Sequence, residues 1–162
     1  LEQIRNTILS VNGVKAIHML RTRSSGGLAS ADVHVLVDPK LSVSEGHMIS
    51  QMVMDNLTDD IEQMSDVTVH IDPEDDEVAT PSKDLPMRDA AEQLLSQCWR
   101  EVPGVVQHER MLLHYLDGKI DIELFFPLHA YRGSDDAQEL TSLLQSGLKE
   151  QSCFGKVRIY FG

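Results

Sequence analysis

The segment TVHIDPEDDE (68–77) sets His70 and Asp72 two residues apart and follows them with Glu74, Asp75, Asp76 and Glu77. In an extended strand, residues two apart share a face, so this imidazole and this carboxylate lie side by side. Imidazole with carboxylate is an ordinary ligand set for Zn²⁺ and similar divalent ions, and a carboxylate such as that of Asp72 can bridge two of them. His34 in ADVHVLVD (31–38) shares a strand face with Asp32 and Asp38, while His18 lies in VKAIHMLRTR (14–23) and His47 follows SVSE (42–45). Four of the seven histidines therefore fall in the first half of the chain. Spacing alone leaves a ligand cluster and a set of surface histidines equally admissible.

The elements that must position these residues follow from periodicity and turn chemistry. Ile4, Ile8, Leu9 and Val11 form a short helical stripe, which NGV (12–14) ends with Gly13 at the residue after the cap. Residues 14–23 and 29–38 form a hairpin around SSGG, and SVSE matches a capping box opening a helix with Ile49, Met52, Val53, Leu57 and Ile61 at helical spacing. VTVHID (67–72) closes the unit as a third strand. Val33, Val35 and Val37 oppose Asp32, His34, Leu36 and Asp38, so one sheet face carries the helices and the other carries the histidines.

The second half repeats this α-β-β-α-β order. EDDEVATPSKDLP (74–86) reads as linker, Asp84 is the expected cap before Pro86, and Ala91, Leu94, Leu95, Cys98 and Trp99 form the next stripe, stopped by PGV (103–105). VQHERMLLHYL (106–116) and KIDIELFF (119–126) form a hairpin around Asp117-Gly118, Ser134 opens a helix, and KVRIYF (156–161) ends the chain as a strand. The expected class is α+β: two tandem ferredoxin-like, open-faced units, with helices on one face of each sheet. Their expected limits are 1–76 and 87–162, joined by 77–86.

Charge and composition bound the function. The net charge is −12, with 14 acids against 5 bases in residues 1–77, so nucleic acid is repelled and cations are attracted. No run approaches the ~18 apolar residues of a membrane span, so direct membrane insertion by this sequence is not expected. The sequence begins at Leu1, as expected of a piece from a longer protein. Cys98 and Cys153 are too few and too far apart for a disulfide framework, and Cys98 reads as a buried thiol.

GVKAIHMLRTRSSG, VHVLVDPKLSVSEGHMIS and DVTVHIDPED together resemble the successive motifs of the cytosolic C-terminal domain of cation diffusion facilitators, over residues 1 to about 76. The resemblance implies a regulatory domain on the cytoplasmic side of the inner membrane, attached to the transmembrane part of a metal/proton antiporter. It implies a homodimer that binds metal between protomers, closes on doing so and has no catalytic residues. Carried over, the ligands are His18, His34, His47, His70 and Asp72, with Asp72 bridging. Zn²⁺ is the first choice of ion, with Co²⁺, Ni²⁺, Mn²⁺, Fe²⁺ or Cd²⁺ as alternatives. Arg21 and Arg23 match family arginines, read as structural or salt-bridging because guanidinium cannot ligate a cation.

The second unit departs from the resemblance. Glu109 falls near the His18 position, Glu123 near His34 and Arg158 near His70; His108, His114 and His129 read as solvated or structural. Two other classes remain from the residues: an amino-acid-binding regulatory domain, for which tandem units are typical, and a metallohydrolase, for which no general base or nucleophile sits beside the ligands in a recognisable motif.

Overall fold

A computed structural model describes residues 1–162, which divide into two compact units, Leu1–Val78 and Ala79–Gly162. In the first unit the order is α1 (Glu2–Leu9), β1 (Ala16–Ser25), β2 (Leu28–Leu36), α2 (Val43–Asp60) and β3 (Met64–Asp72). β1 and β2 pair antiparallel, and β2 and β3 pair parallel, giving a sheet in the order β1-β2-β3. A parallel pair needs a crossover, and α2 supplies it.

Local chemistry fixes the joints. Gly26 and Gly27 have φ of +61° and +86°, the left-handed pair that a two-residue hairpin turn requires. Ser42 caps α2, its hydroxyl accepting from the Glu45 backbone N–H at 3.2 Å. Gly13 has φ +97°, a conformation that favours glycine, and a Cβ there would also push the Ile49 Cδ1, 2.6 Å away, aside.

Val33 and Val35 of β2, Ile8 of α1 and Val53 and Leu57 of α2 are fully buried in the core of this unit. Full burial of one such side chain stabilises by about 1.5–3 kcal/mol, and alternation along β2 turns the polar residues outward. β1 breaks that alternation. Ile17 pairs with Val35 but Met19 pairs with His34, so His18 is the extra residue of a bulge.

The second unit comprises α3 (Arg88–Cys98), β4 (Arg110–Leu116), β5 (Lys119–Phe126), α4 (Ser134–Gly147) and β6 (Phe154–Phe161), with the same sheet pattern β4-β5-β6. Its core gathers Leu95, Ile120, Ile122, Leu124, Phe126 and Leu144, and Trp99 donates its indole N–H to the Leu144 carbonyl at 2.9 Å. Burial pushes the Cys98 thiol above its ordinary pKa, with Cys153 adding to the effect.

Two joints differ from the sequence reading. Asp84 does not cap α3, which begins after Met87 without a side-chain cap. Asp84 sits instead inside a turn closed by the Leu85 N–H and the Ser82 carbonyl. Strand β4 begins at Arg110 and not at Val106, because Val105–Gln107 form a short 3₁₀ turn after Gly104. The His108 Nδ1 lies 2.6 Å from the Val105 carbonyl, a local bond that competes with the ladder.

Candidate metal centre

Alternation and register together assemble the histidine face of the first unit. His34 lies opposite His70 in the parallel β2–β3 pair, Asp32 opposite Thr68, and Leu36 opposite Asp72. The two imidazoles stack with ring centres 4.2 Å apart and planes 12° from parallel. Asp72 Oδ2 stands 2.9 Å from His34 Nδ1, and Asp32 Oδ1 stands 3.4 Å from His70 Nε2. One ligand atom from each of Asp32, His34 and His70 falls within 4.8 Å of the others, the single such group of three in the chain.

His18 occupies the bulge in β1. Its side chain is 8% exposed, with Nδ1 3.5 Å from Asp75 Oδ1 and Nε2 buried without a hydrogen-bond partner. A buried ring nitrogen left in that condition costs about 1–3 kcal/mol, and a bound cation is one means of satisfying it. His47 lies in the first turn of α2, is exposed, and lines a shallow groove with Ile71 and Pro73. Of the five residues expected as ligands, the fold brings His34, His70 and Asp72 into direct contact. It sets His18 at the neighbouring bulge against Asp75 and leaves His47 on the surface.

Two carboxylates outside the expected ligand set stand at the centre. Asp32 was visible as the residue two before His34, on the same face. Asp75 lay within the acidic run, where only the chain reversal after β3 brings it to His18. Arg21 lies opposite Asp32 in the β1–β2 register, and Arg21, Arg23, Asp32, Asp66, Thr68 and His70 border a groove of about 260 Å³. Neither arginine has a carboxylate within ion-pair distance, so the salt-bridge role expected for them is not made within this chain.

The corresponding face of the second unit has different chemistry at the same register. Glu123 lies opposite Arg158 as His34 lies opposite His70, and Tyr160 stands where Asp72 does. Glu123 is buried at 7% exposure, with His114 Nε2 at 3.2 Å and the Tyr160 hydroxyl donating at 3.4 Å. His114 is therefore structural, and a guanidinium replaces the imidazole that would ligate. Glu109 does not occupy the His18 position. Leu112 is the register equivalent of Met19, and β4 pairs with β5 without a bulge, so no extra residue projects there.

Residues 1–74 match the family described as "Cation efflux protein, cytoplasmic domain". The match spans nearly the whole of the first unit. Metal tolerance protein C1 of Arabidopsis thaliana is 45% identical over 73 residues, which are 45% of this chain and 16% of that protein. Metal tolerance protein 2 of Oryza sativa subsp. japonica is 42% identical over 71 residues, or 44% of this chain and 18% of that protein. The chain thus spans less than a fifth of either relative. Among solved structures, the manganese form of a MamM CTD variant is 27% identical with a TM-score of 0.44, covering 45% of this chain and 92% of that one. The cadmium form of another MamM CTD variant is 24% identical with the same TM-score of 0.44, covering 46% of this chain and 92% of that one.

The donor set of the first unit suits a divalent ion. Two imidazoles and a carboxylate bring ligand atoms within 4.8 Å of one another on one sheet face, the next histidine carries an unpartnered buried nitrogen, and Asp72 holds the His34 Nδ1. A carboxylate on the far nitrogen of an imidazole fixes its tautomer and ring orientation, the arrangement that supports a metal-bound histidine.

Proposed function

We propose that the first unit is a metal-sensing dimerisation module on the cytoplasmic side of a divalent-cation efflux transporter. In this reading His18, His34, His70 and Asp72 bind Zn²⁺ or a similar ion, and His47 of the partner subunit completes the shell. The convergence of Asp32, His34 and His70 on one exposed sheet face carries the reading. His47 supports the dimeric part, because an exposed imidazole at the start of α2 is available to a second copy. Exposed Val43 and Met48 lie beside it and would be covered by association.

The ion is the signal in this scheme and nothing is turned over. Metal bound between two copies adds ligand bonds across the boundary and neutralises the acidic face, so occupancy changes the preferred angle between protomers. The attached transmembrane part would feel that change. The acidic residues after β3 raise the local cation concentration, with Asp75 closest to the centre at His18.

Calorimetric titration of Zn²⁺ into chelator-treated protein tests the reading, with small-angle scattering of both end states and Asp72→Ala as the control. Saturable binding that is weakened in the variant, with compaction of a dimer, is the expected result. Absence of binding, with an unchanged particle, would refute it.

A further inference from the structure

We infer that Asp32 is a metal ligand and that Asp32, His34 and His70 form one cation position supplied wholly by a single chain, with Asp72 serving there as the positioning carboxylate of His34. The inference rests on the metal-binding reading above and specifies which atoms hold one of the ions.

Geometry separates the two aspartates. Asp72 Oδ2 lies 2.9 Å from His34 Nδ1, a hydrogen bond that commits that nitrogen and leaves Nε2 for an ion. Asp32 Oδ1 approaches His70 Nε2 to 3.4 Å, yet it is buried and has no hydrogen bond. A carboxylate oxygen buried without a hydrogen bond is one that a cation can satisfy. The spacing has a direct meaning for metals. Ligand atoms at the corners of a tetrahedron with bonds of about 2.1 Å stand about 3.4 Å apart. The Asp32–His70 pair already has that separation and a His34 ligand atom lies within 4.8 Å of both, while the stacked rings, 12° from parallel, must rotate to direct both lone pairs at one ion.

The backbone fixes this arrangement before any ion arrives. Asp32 and His34 are on one strand face, and the parallel register puts His70 directly opposite His34. Three protein donors leave a fourth position for water, and Asp32 and His70 border a groove open to solvent. None of these residues depends on a second copy of the chain.

The test compares the full chain with Asp32→Asn, His70→Asn and Asp72→Asn, each titrated with Zn²⁺ by calorimetry and with Co²⁺ by visible absorption, at a concentration where ultracentrifugation shows monomer. Asp32→Asn and His70→Asn are expected to abolish the same one-per-chain equivalent and the four-coordinate Co²⁺ bands. Asp72→Asn is expected to keep the bands and weaken binding by about 10- to 100-fold, the usual effect of losing an outer carboxylate. Circular dichroism of the metal-free variants checks the fold. Asp32 makes no hydrogen bond and is 44% exposed, so Asp32→Asn should fold normally. If Asp32→Asn misfolds, Asp32→Ala read by the same Co²⁺ bands decides. Binding by Asp32→Asn with unchanged stoichiometry, and within about twofold of the parent affinity, would overturn the inference and leave the metal-binding reading intact. Failure of the parent chain to bind Zn²⁺ at all would overturn the reading beneath it.

Discussion

Replacing His18 by leucine should make the metal-free first unit more stable while removing part of its response to zinc. The imidazole is 8% exposed and its Nε2 is buried without a partner. Removing that orphaned nitrogen recovers about 1–3 kcal/mol of desolvation cost. The contact given up is the 3.5 Å approach of Nδ1 to Asp75, whose side chain is 45% exposed; such a pair contributes about 0–1 kcal/mol. Leucine is close to histidine in size and apolar, so the balance favours the variant by about 1 kcal/mol, or ~4–8 °C in melting temperature for a domain of this size. Zinc at a hundred times its dissociation constant should stabilise the parent by about 2.7 kcal/mol and the variant by less. The chain offers a convenient assay, because every Trp, Tyr and Phe lies in the second unit, from Trp99 onward. Trp99 fluorescence therefore follows the second unit alone, and the part of the far-ultraviolet dichroism transition that it does not track belongs to the first. A lower melting temperature for metal-free His18→Leu would refute the claim that the nitrogen is unsatisfied. An undiminished zinc-induced shift would refute His18 as a ligand.

Zinc affinity should fall steeply as pH drops below about 6, because imidazole must be neutral to ligate and ordinarily titrates near 6.5; retained affinity at about pH 5 by calorimetry would argue against histidine ligation. Glu123→Ala should leave zinc affinity unchanged yet destabilise the second unit, since it strips buried His114 and the Tyr160 hydroxyl of their partner, and Trp99 fluorescence in urea reads the loss. Leu57→Ala, at a site with 0% exposure, should destabilise the first unit by about 2–5 kcal/mol, seen as loss of the fluorescence-silent dichroism transition. Burial raises the Tyr115 pKa in the folded state, so its contribution to stability is complete below the ordinary value near 10 and lost as pH rises through the folded value. Alkaline unfolding of the second unit, followed by tyrosinate absorbance, should show that dependence.

The sequence by itself determined the repeated element order and the division of faces. Val33, Val35 and Val37 alternate with Asp32, His34 and Leu36, and an open sheet with helices on one side has only one place for each set. Glycine pairs with positive φ, the Ser42 cap and the crossover helix are local rules, and they hold without knowledge of the rest of the chain. Alternation likewise put His70 beside Asp72 and Asp32 beside His34, each pair on one face of its own strand.

Tertiary structure decided what no periodicity encodes. The bulge that turns His18 inward depends on β1 pairing out of step with β2, and its partner Asp75 is delivered by the reversal after β3. The parallel register of β2 with β3, set by how α2 packs across the sheet, decides that His34 faces His70 and that Asp32 reaches the same point. It decides equally that Arg158 faces Glu123 in the second unit. Alternation names the face on which a side chain lies. Its neighbours there are chosen by packing, which minimises exposed apolar surface over the whole unit and fixes register as the consequence.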